Sequence, residues 1–426
     1  MNTTTWRRLG ALAVLPLIGA SLAACGSDAD AGSGSQTITF AYQIANPNAK
    51  SVFETLAQEY EKTHAGVTIK TNPIALNTYG STITTQLQAG NGPDVFFINA
   101  GGGQAGSVGT LGEAGKLLDL TGKVADGAVP ENAVSSMSYN DKLVAVPVYL
   151  APAGIIFSPM AAEKSGFKLD ANSTMDDVIA QCKTVADGGQ AVFGLAGAMA
   201  PNTAIFTSAI AASTVYGPDP QWNEEKASGE KSFADTPGWR DALQTVKDLY
   251  DAGCFQEGAA GAGFDALTNG MGQGQMLGFS APGGAAKDIM DSTGGHVTLT
   301  VEAMPAPAGY DTYLMAGTPD AIAGNAASGN KDLVLDFIDW MSQPAQTKAA
   351  AEAAGDIPVS ATDTSKLLPQ YAGVASLIDE GKVAQYPYIE WPNGEVYNAL
   401  GTGVTGLLTG QMSVDDVLAS LDKAWG

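Results

Sequence analysis

An α/β fold divided over two domains is what this sequence predicts, and three observations carry that reading. Segments whose apolar residues alternate with period two are interleaved with segments of helical spacing. One strand segment, Asp94-Val-Phe-Phe-Ile-Asn99, is almost wholly apolar, as strands buried on both faces of a parallel sheet are. The chain has 426 residues, whereas single cores stop growing near about 250–300 residues.

In order along the chain, Gln36 to Tyr42 alternates and is rich in β-formers, so it reads as a strand. After Asn46-Pro47, a pair suited to a helix start, Val52, Phe53, Leu56, Ala57 and Tyr60 recur at the spacing of one helical face. Gly66 to Thr71 is a second strand. Thr82 to Ala89 is helical and stops at Gly90-Asn91-Gly92. Strands are expected over Leu143–Leu150, Gly154–Phe157, Met276–Phe279 and Val297–Val301. Helices are expected over Met175–Ala186, Thr203–Thr214, Gly238–Ala252 and Phe264–Met271. Two longer ones are Lys331–Ala353, broken near Pro344, and Val396–Trp425, interrupted at Thr409-Gly410. No internal repeat is evident.

The N-terminus carries its own signal. Arg7 and Arg8 precede an apolar stretch from Leu9 to Leu22 that is short for a bilayer span and contains Pro16 and Gly19. Positive residues, a short apolar run and small residues describe a secretory signal peptide. The sequence Leu22-Ala-Ala-Cys25-Gly26 resembles the lipobox of bacterial lipoproteins. That resemblance implies cleavage after Ala24 and lipidation of Cys25, enough acyl chain to hold the protein on the outer face of the cytoplasmic membrane. Residues 25–35 are small and polar and read as a flexible tether.

Composition narrows the partners. Losing residues 1–24 removes two arginines and takes the formal charge from −23 to −25. Nucleic acid is therefore a poor partner, and so are anionic lipid headgroups. With only two histidines and no Cys/His cluster, neither a metal nor another cofactor is expected. Cys182 and Cys254 remain once Cys25 is assigned to lipidation; in an exported chain they are expected to form a disulfide, with two buried thiols the alternative.

Several ordered segments resemble the extracellular solute-binding proteins of bacterial carbohydrate ABC importers, the maltose-binding-protein-like group. Leu87-Gln-Ala-Gly-Asn-Gly-Pro-Asp-Val-Phe96 resembles that family's small residues and Pro-Asp before a buried strand. Leu117-Leu-Asp-Leu120 resembles its short turn. Tyr139-Asn-Asp-Lys-Leu-Val-Ala-Val-Pro147 is similar to its "Y-x-G-K-x-Y-G-V-P" segment, with Asp141 where Gly is usual. Ile156-Phe157-Ser158 departs from a common Tyr-Asn pair. Val334 to Pro358 is similar to its helix pair. The resemblance implies a two-lobe periplasmic-binding-protein-like fold with a hinge and an interlobe cleft. The N-terminal lobe would hold 36–148 plus 302–355, and the C-terminal lobe 149–301 plus 356–426. The implied protein is a monomer that binds a carbohydrate, without altering it, and delivers it to the transmembrane subunits of an ABC permease.

A sugar presents apolar C–H faces edged by hydroxyls, so a site for it needs rings to stack and polar groups to bond; an unpartnered buried hydroxyl costs about 1–3 kcal/mol. Ligands of α/β sheets sit beyond the carboxyl ends of the strands, which directs attention to the loops after Tyr42, Ile98 and Phe279. Candidates are Tyr42 and Gln43 at the end of the first strand, Asn99 before Ala100-Gly-Gly-Gly103, and Tyr149 after the crossover strand. The resemblance adds Tyr79, Asn202, Phe279 with Ser280, and Trp391. Asn202 could instead cap a helix, and Trp222 lies in a polar insertion where partial exposure is expected.

The alternatives are a peptide, polyamine or amino-acid receptor on the same scaffold, an exported glycosidase, and a purely structural lipoprotein. The candidate loops hold Tyr, Gln, Asn, Phe and Trp, which favours an uncharged ligand, although Asp356 and Glu390 lie near them. No Gly-x-Ser-x-Gly, no His-Glu-x-x-His and no phosphate-binding glycine spacing is present, so enzymatic activity is not expected.

Overall fold

The computed structural model describes residues 36–44, 51–102, 104, 106–360 and 364–426. The expected signal peptide, the expected tether with Cys25, and Asn46-Pro47 lie outside the described residues.

The chain runs through two sheets in four stretches. The first stretch builds β1 (Gln36–Ile44), α1 (Val52–Thr63), β2 (Val67–Ala75), α2 (Leu76–Ala89), β3 (Val95–Asn99) and α3 (Val108–Glu113). Phe53, Leu56, Ala57 and Tyr60 form the buried face of α1, as their spacing requires, and Ser51 caps the helix by accepting from the Phe53 amide. Gly90, at φ 78°, ends α2 in a left-handed turn. The hairpin β4 (Ser138–Tyr139) and β5 (Lys142–Leu143) turns on Asn140 and Asp141, both at positive φ. Two positive-φ residues are what a tight hairpin needs, and Asn and Asp tolerate that geometry best after glycine. This explains how Asp141 can stand where the resembled family usually has Gly. β6 (Ala145–Pro147) ends the stretch.

The second stretch begins with β7 (Ala151–Phe157), buried at every position. α4 (Pro159–Ser165), α5 (Met175–Asp187), β8 (Ala191–Gly194), α6 (Ala200–Ala211), α7 (Trp222–Ser228), α8 (Pro237–Asp251) and α9 (Phe264–Gly272) follow. Then come β9 (Met276–Pro282), α10 (Gly284–Ser292), β10 (Thr300–Glu302) and β11 (Leu314–Gly317). The third stretch is β12 (Asp320–Gly324) with α11 (Lys331–Met341) and α12 (Pro344–Ala354). The fourth holds α13 (Ala375–Asp379), β13 (Val383–Ala384), α14 (Gly394–Leu408) and α15 (Val414–Trp425).

One sheet has the order β2-β1-β3-β12-β6 and the other β13-β11-β7-β9-β8, with β10 also paired to β7. β1, β2 and β3 are mutually parallel, and β12 runs antiparallel to both β3 and β6. In the second sheet β8 and β9 are parallel, and β7 runs against β9, β10 and β11. Strand pairing therefore moves the chain between sheets three times: at Val148–Leu150, at Thr318–Pro319 and at Asp356–Ile357. The second crossing follows β10 and β11, which both pair with β7. Leu143–Leu150, expected as one strand, is split between β5, β6 and the first crossing.

The second sheet is backed by an aromatic core that includes Trp222, Phe233, Trp239 and Trp425. Trp222 is buried, not partly exposed: its ring meets Phe233 at 4.8 Å and Trp239 at 6.0 Å, and its indole N–H donates to the Thr236 hydroxyl. Cys182 on α5 and Cys254 after α8 are joined by a disulfide. No helix among the described residues is long and apolar enough to cross a membrane.

Candidate functional site

The topology determines which ends of the strands face the crossings. Asp320, the first residue of β12, pairs with Asn99, the last of β3, so the carboxyl ends of parallel β1 and β3 lie at the crossing edge. In the second sheet Gly317, the last residue of β11, pairs with Ala151, and Pro282, the last of β9, pairs with Ala153. Both sheets thus turn the carboxyl ends of their parallel strands toward the same three crossing segments, the place where α/β folds bind ligands.

Hydrogen bonds lace these segments together. The Val148 amide donates to the Asp320 carbonyl at 3.2 Å and the Ala100 amide to the Pro319 carbonyl at 2.9 Å. Leu150 and Ile357 exchange backbone hydrogen bonds of 2.8 and 3.0 Å. At their centre sits the half-buried Asp320 carboxylate. The Tyr149 hydroxyl donates to its Oδ2 at 2.8 Å and the Gln43 amide to its Oδ1 at 3.1 Å. Burial pushes the Asp320 carboxyl up, and the hydrogen bonds from Tyr149 and Gln43 pull it back. Burial, then the charge of Asp320, raises Tyr149 well above the usual tyrosine value.

On the third crossing, Asp356 is buried, and its carboxyl is pushed up to about 8. Burial is the main cause; a hydrogen bond from Tyr371 opposes it and the nearby Asp320 charge adds to it. Tyr386 belongs to this group too: its hydroxyl is buried without a partner and is raised by burial, with Tyr388, Asp356, Tyr371 and Asp320 adding. Tyr388 packs at 5.5 Å from Tyr386 and at 4.5 Å from Tyr397.

Of the residues the sequence pointed to, Gln43, Asn99 and Tyr149 are brought together, around Asp320. The others pack elsewhere. Tyr42, 2% exposed, stacks in the core against Phe40, Phe53 and Phe97. Tyr79 is buried, its hydroxyl donating to the carbonyls of Phe97 at 3.0 Å and Ala41 at 3.2 Å. Asn202 neither caps α6, whose N-cap is Met199, nor faces outward. It accepts from the Ala196 amide at 2.8 Å and donates to the Ser280 carbonyl at 3.2 Å, tying a loop to β9. Phe279 is fully buried near Phe264, and Ser280 is buried with its hydroxyl unpartnered. Trp391 is fully buried, its indole N–H donating to Asn223 at 3.2 Å and its ring against Phe233 and Trp239.

Sequence reasoning missed Asp320, Tyr386, Tyr388 and Tyr397, and also Met199 and Phe264. Met199 and Phe264 are 39% and 37% exposed, large apolar side chains facing water. They flank two loops joined by a hydrogen bond from the Ala198 amide to the Ala262 carbonyl, just beyond the carboxyl end of β8. The Tyr-x-Tyr at 386–388 was a readable signal, but β13 before it is too short to announce a strand end.

The two sides also touch directly. The Gly102 amide donates to the Ile389 carbonyl at 3.0 Å, and a Cβ on Gly101, at φ 69°, would lie 1.7 Å from that same oxygen. Among the described residues, no group of three or more His, Cys, Asp or Glu side chains could hold a metal ion.

The family described as "Bacterial extracellular solute-binding protein" matches residues 45–348 of this chain. The chain belongs to that family. Solute-binding proteins of this kind are components of transport systems, not enzymes. No curated protein matches the chain. Solved structures that resemble this solute-binding protein include one titled for xylan utilization by the thermophilic bacterium Caldanaerobius polysaccharolyticus, at 20% identity and a TM-score of 0.77, covering 91% of this chain and 99% of that one. A chitin oligosaccharide binding protein is 17% identical with a TM-score of 0.77 over 92% and 98% of the two chains. The solute-binding protein RafE in complex with raffinose is 19% identical with a TM-score of 0.72 over 92% and 100%. The protein therefore has the two-lobe, periplasmic-binding-protein-like fold.

Proposed function

We propose that this solute-binding protein captures a sugar or oligosaccharide between its lobes and hands it to an ABC importer. The observation that carries the reading is the chemistry beside the crossings. Tyr149, Tyr388 and Tyr397 offer rings, with the Tyr149 and Tyr397 hydroxyls already donating to Asp320 and to the Pro201 carbonyl, while Gln43 and Asn99 offer amides and Asp320 is a strong acceptor. Rings for C–H faces and closely matched polar groups for hydroxyls are what a polyhydroxy ligand requires. Met199 and Phe264 extend an apolar rim on the second-sheet side. The likeness to structures titled for raffinose and for chitin oligosaccharides supports the same class.

The lobes are taken to divide at the three crossings, with the first and third stretches in one lobe and the second and fourth in the other. The protein is taken to act as a monomer, exported by its signal peptide and held at the outer membrane face by lipid on Cys25. Cys25→Ser should release it from the membrane fraction into the medium; retention of the variant would remove the anchor from this account.

Calorimetry or thermal shift against a panel of mono- and oligosaccharides tests the reading. A ligand at a hundred times its dissociation constant stabilises by about 2.7 kcal/mol, a shift easily read. Response to peptides or polyamines with none to any carbohydrate would overturn it.

A further inference from the structure

Resting on the sugar reading, we infer that Asp320 sets the charge selectivity of the site, admitting neutral and amino-bearing sugars and turning away sugar acids. Asp320 opens β12 directly after the second crossing, opposite Asn99 and beside Tyr149 of the first crossing. It is placed where the two lobes meet.

Both of its oxygens accept a hydrogen bond, from Gln43 and from Tyr149, and both donors are neutral. Each oxygen has a further lone pair to offer, so the carboxylate can take a donor from the ligand as well. The Asp320 charge bears on the Asp356 carboxyl of the third crossing and on the hydroxyls of Tyr79, Tyr149, Tyr386 and Tyr388. The buried Tyr386 hydroxyl, which has no partner, is one more polar group there. Asp320 is thus a partly dry carboxylate whose hydrogen-bond donors among the described residues are both neutral.

A hydroxyl or ammonium group donates to such a carboxylate. A uronate brings a second negative charge into surroundings that screen it poorly. The geometry therefore favours ligands by charge before it distinguishes their stereochemistry.

The experiment starts from the neutral sugar that binds the wild-type protein most tightly in the carbohydrate panel. Calorimetry then compares it with its C6-carboxylate and its 6-amino-6-deoxy derivative. The expected result is a loss of about tenfold or more for the carboxylate, with the amino derivative bound at least as well as the parent. Asp320→Asn should shrink the penalty on the carboxylate to within about threefold and remove any advantage of the amine. Tyr149→Phe strips one neutral donor and leaves the charge, so it should keep the discrimination even if it weakens all binding; it serves as the second variant should Asp320→Asn not fold. Equal binding of parent and carboxylate by the wild type, or an unchanged ratio in folded Asp320→Asn, overturns the inference and leaves the sugar reading standing. Failure of every sugar to bind removes the sugar reading itself.

Discussion

Asp356 is a carboxyl that the fold keeps away from water on its third crossing, raised from 3.8 to about 8 chiefly by burial. Its protonated form is favoured in the folded state, so between these two values the folded protein holds more protons than the unfolded chain. Stability contributed by this group is therefore full below about pH 4 and is lost as pH rises through about 8. Asp356→Asn should flatten that slope, stabilising the protein near pH 8 by a few kcal/mol, on the order of 1.4 kcal/mol per unit of displacement, and changing little at pH 4. Thermal melts of both proteins across pH 4–9 would show it; parallel curves would mean the carboxyl is ionised in the fold throughout. Tyr79 makes the complementary case. Its hydroxyl serves two backbone carbonyls, on β1 and β3, so Tyr79→Phe should cost about 1–3 kcal/mol of stability and leave sugar affinity unchanged. Which tyrosines pack in a core and which reach the crossings could not be read in the sequence. Tyr42 and Tyr149 both end or follow strands, yet one ring joins the Phe40–Phe53–Phe97 cluster and the other hydroxyl reaches Asp320. That difference is decided by partners distant in the chain.

Elements were legible where their signals were local. The buried stripe of α1, the glycine stop of α2, the break at Pro344 and the turn at Gly410 are each written in a few consecutive residues, and the helices follow them. β12 was not legible: Asp-Ala-Ile-Ala-Gly has little β-propensity and is a strand because β3 and β6 flank it. Missing β12 meant missing Asp320, the acceptor that Gln43 and Tyr149 share. The disulfide between Cys182 and Cys254 acts at this scale, tying α5 to the turn after α8 over a separation of 72 residues. Closing a loop of that size is worth about 4 kcal/mol on the chain-entropy account. A Cys182→Ser, Cys254→Ser double variant should melt well below the wild type, with ligand selectivity preserved. A melting point unmoved by the double change would mean that packing around α5 and α8 already fixes that corner of the second lobe.

At the scale of the whole molecule, the proposed capture has two lobes approaching and separating about three crossings, whose backbones are bonded to one another. The 99–102 loop meets the 387–391 segment backbone to backbone: Gly102 donates to the Ile389 carbonyl, and Gly101 leaves no room for a Cβ beside it. Such a backbone contact can form only when the lobes are near, so it should be part of the closed state. Gly101→Ala would push the Ile389 carbonyl away and place an L-residue at φ 69°, which itself costs about 1–2 kcal/mol. Two effects then separate. The backbone cost lowers the melting point with or without sugar, whereas the lost contact weakens sugar binding and reduces the ligand-induced fall in radius of gyration seen by scattering. A variant that is less stable yet closes on sugar as fully as the wild type would place this contact outside the closing movement, leaving Tyr149, Asp320 and the ligand to hold the lobes together.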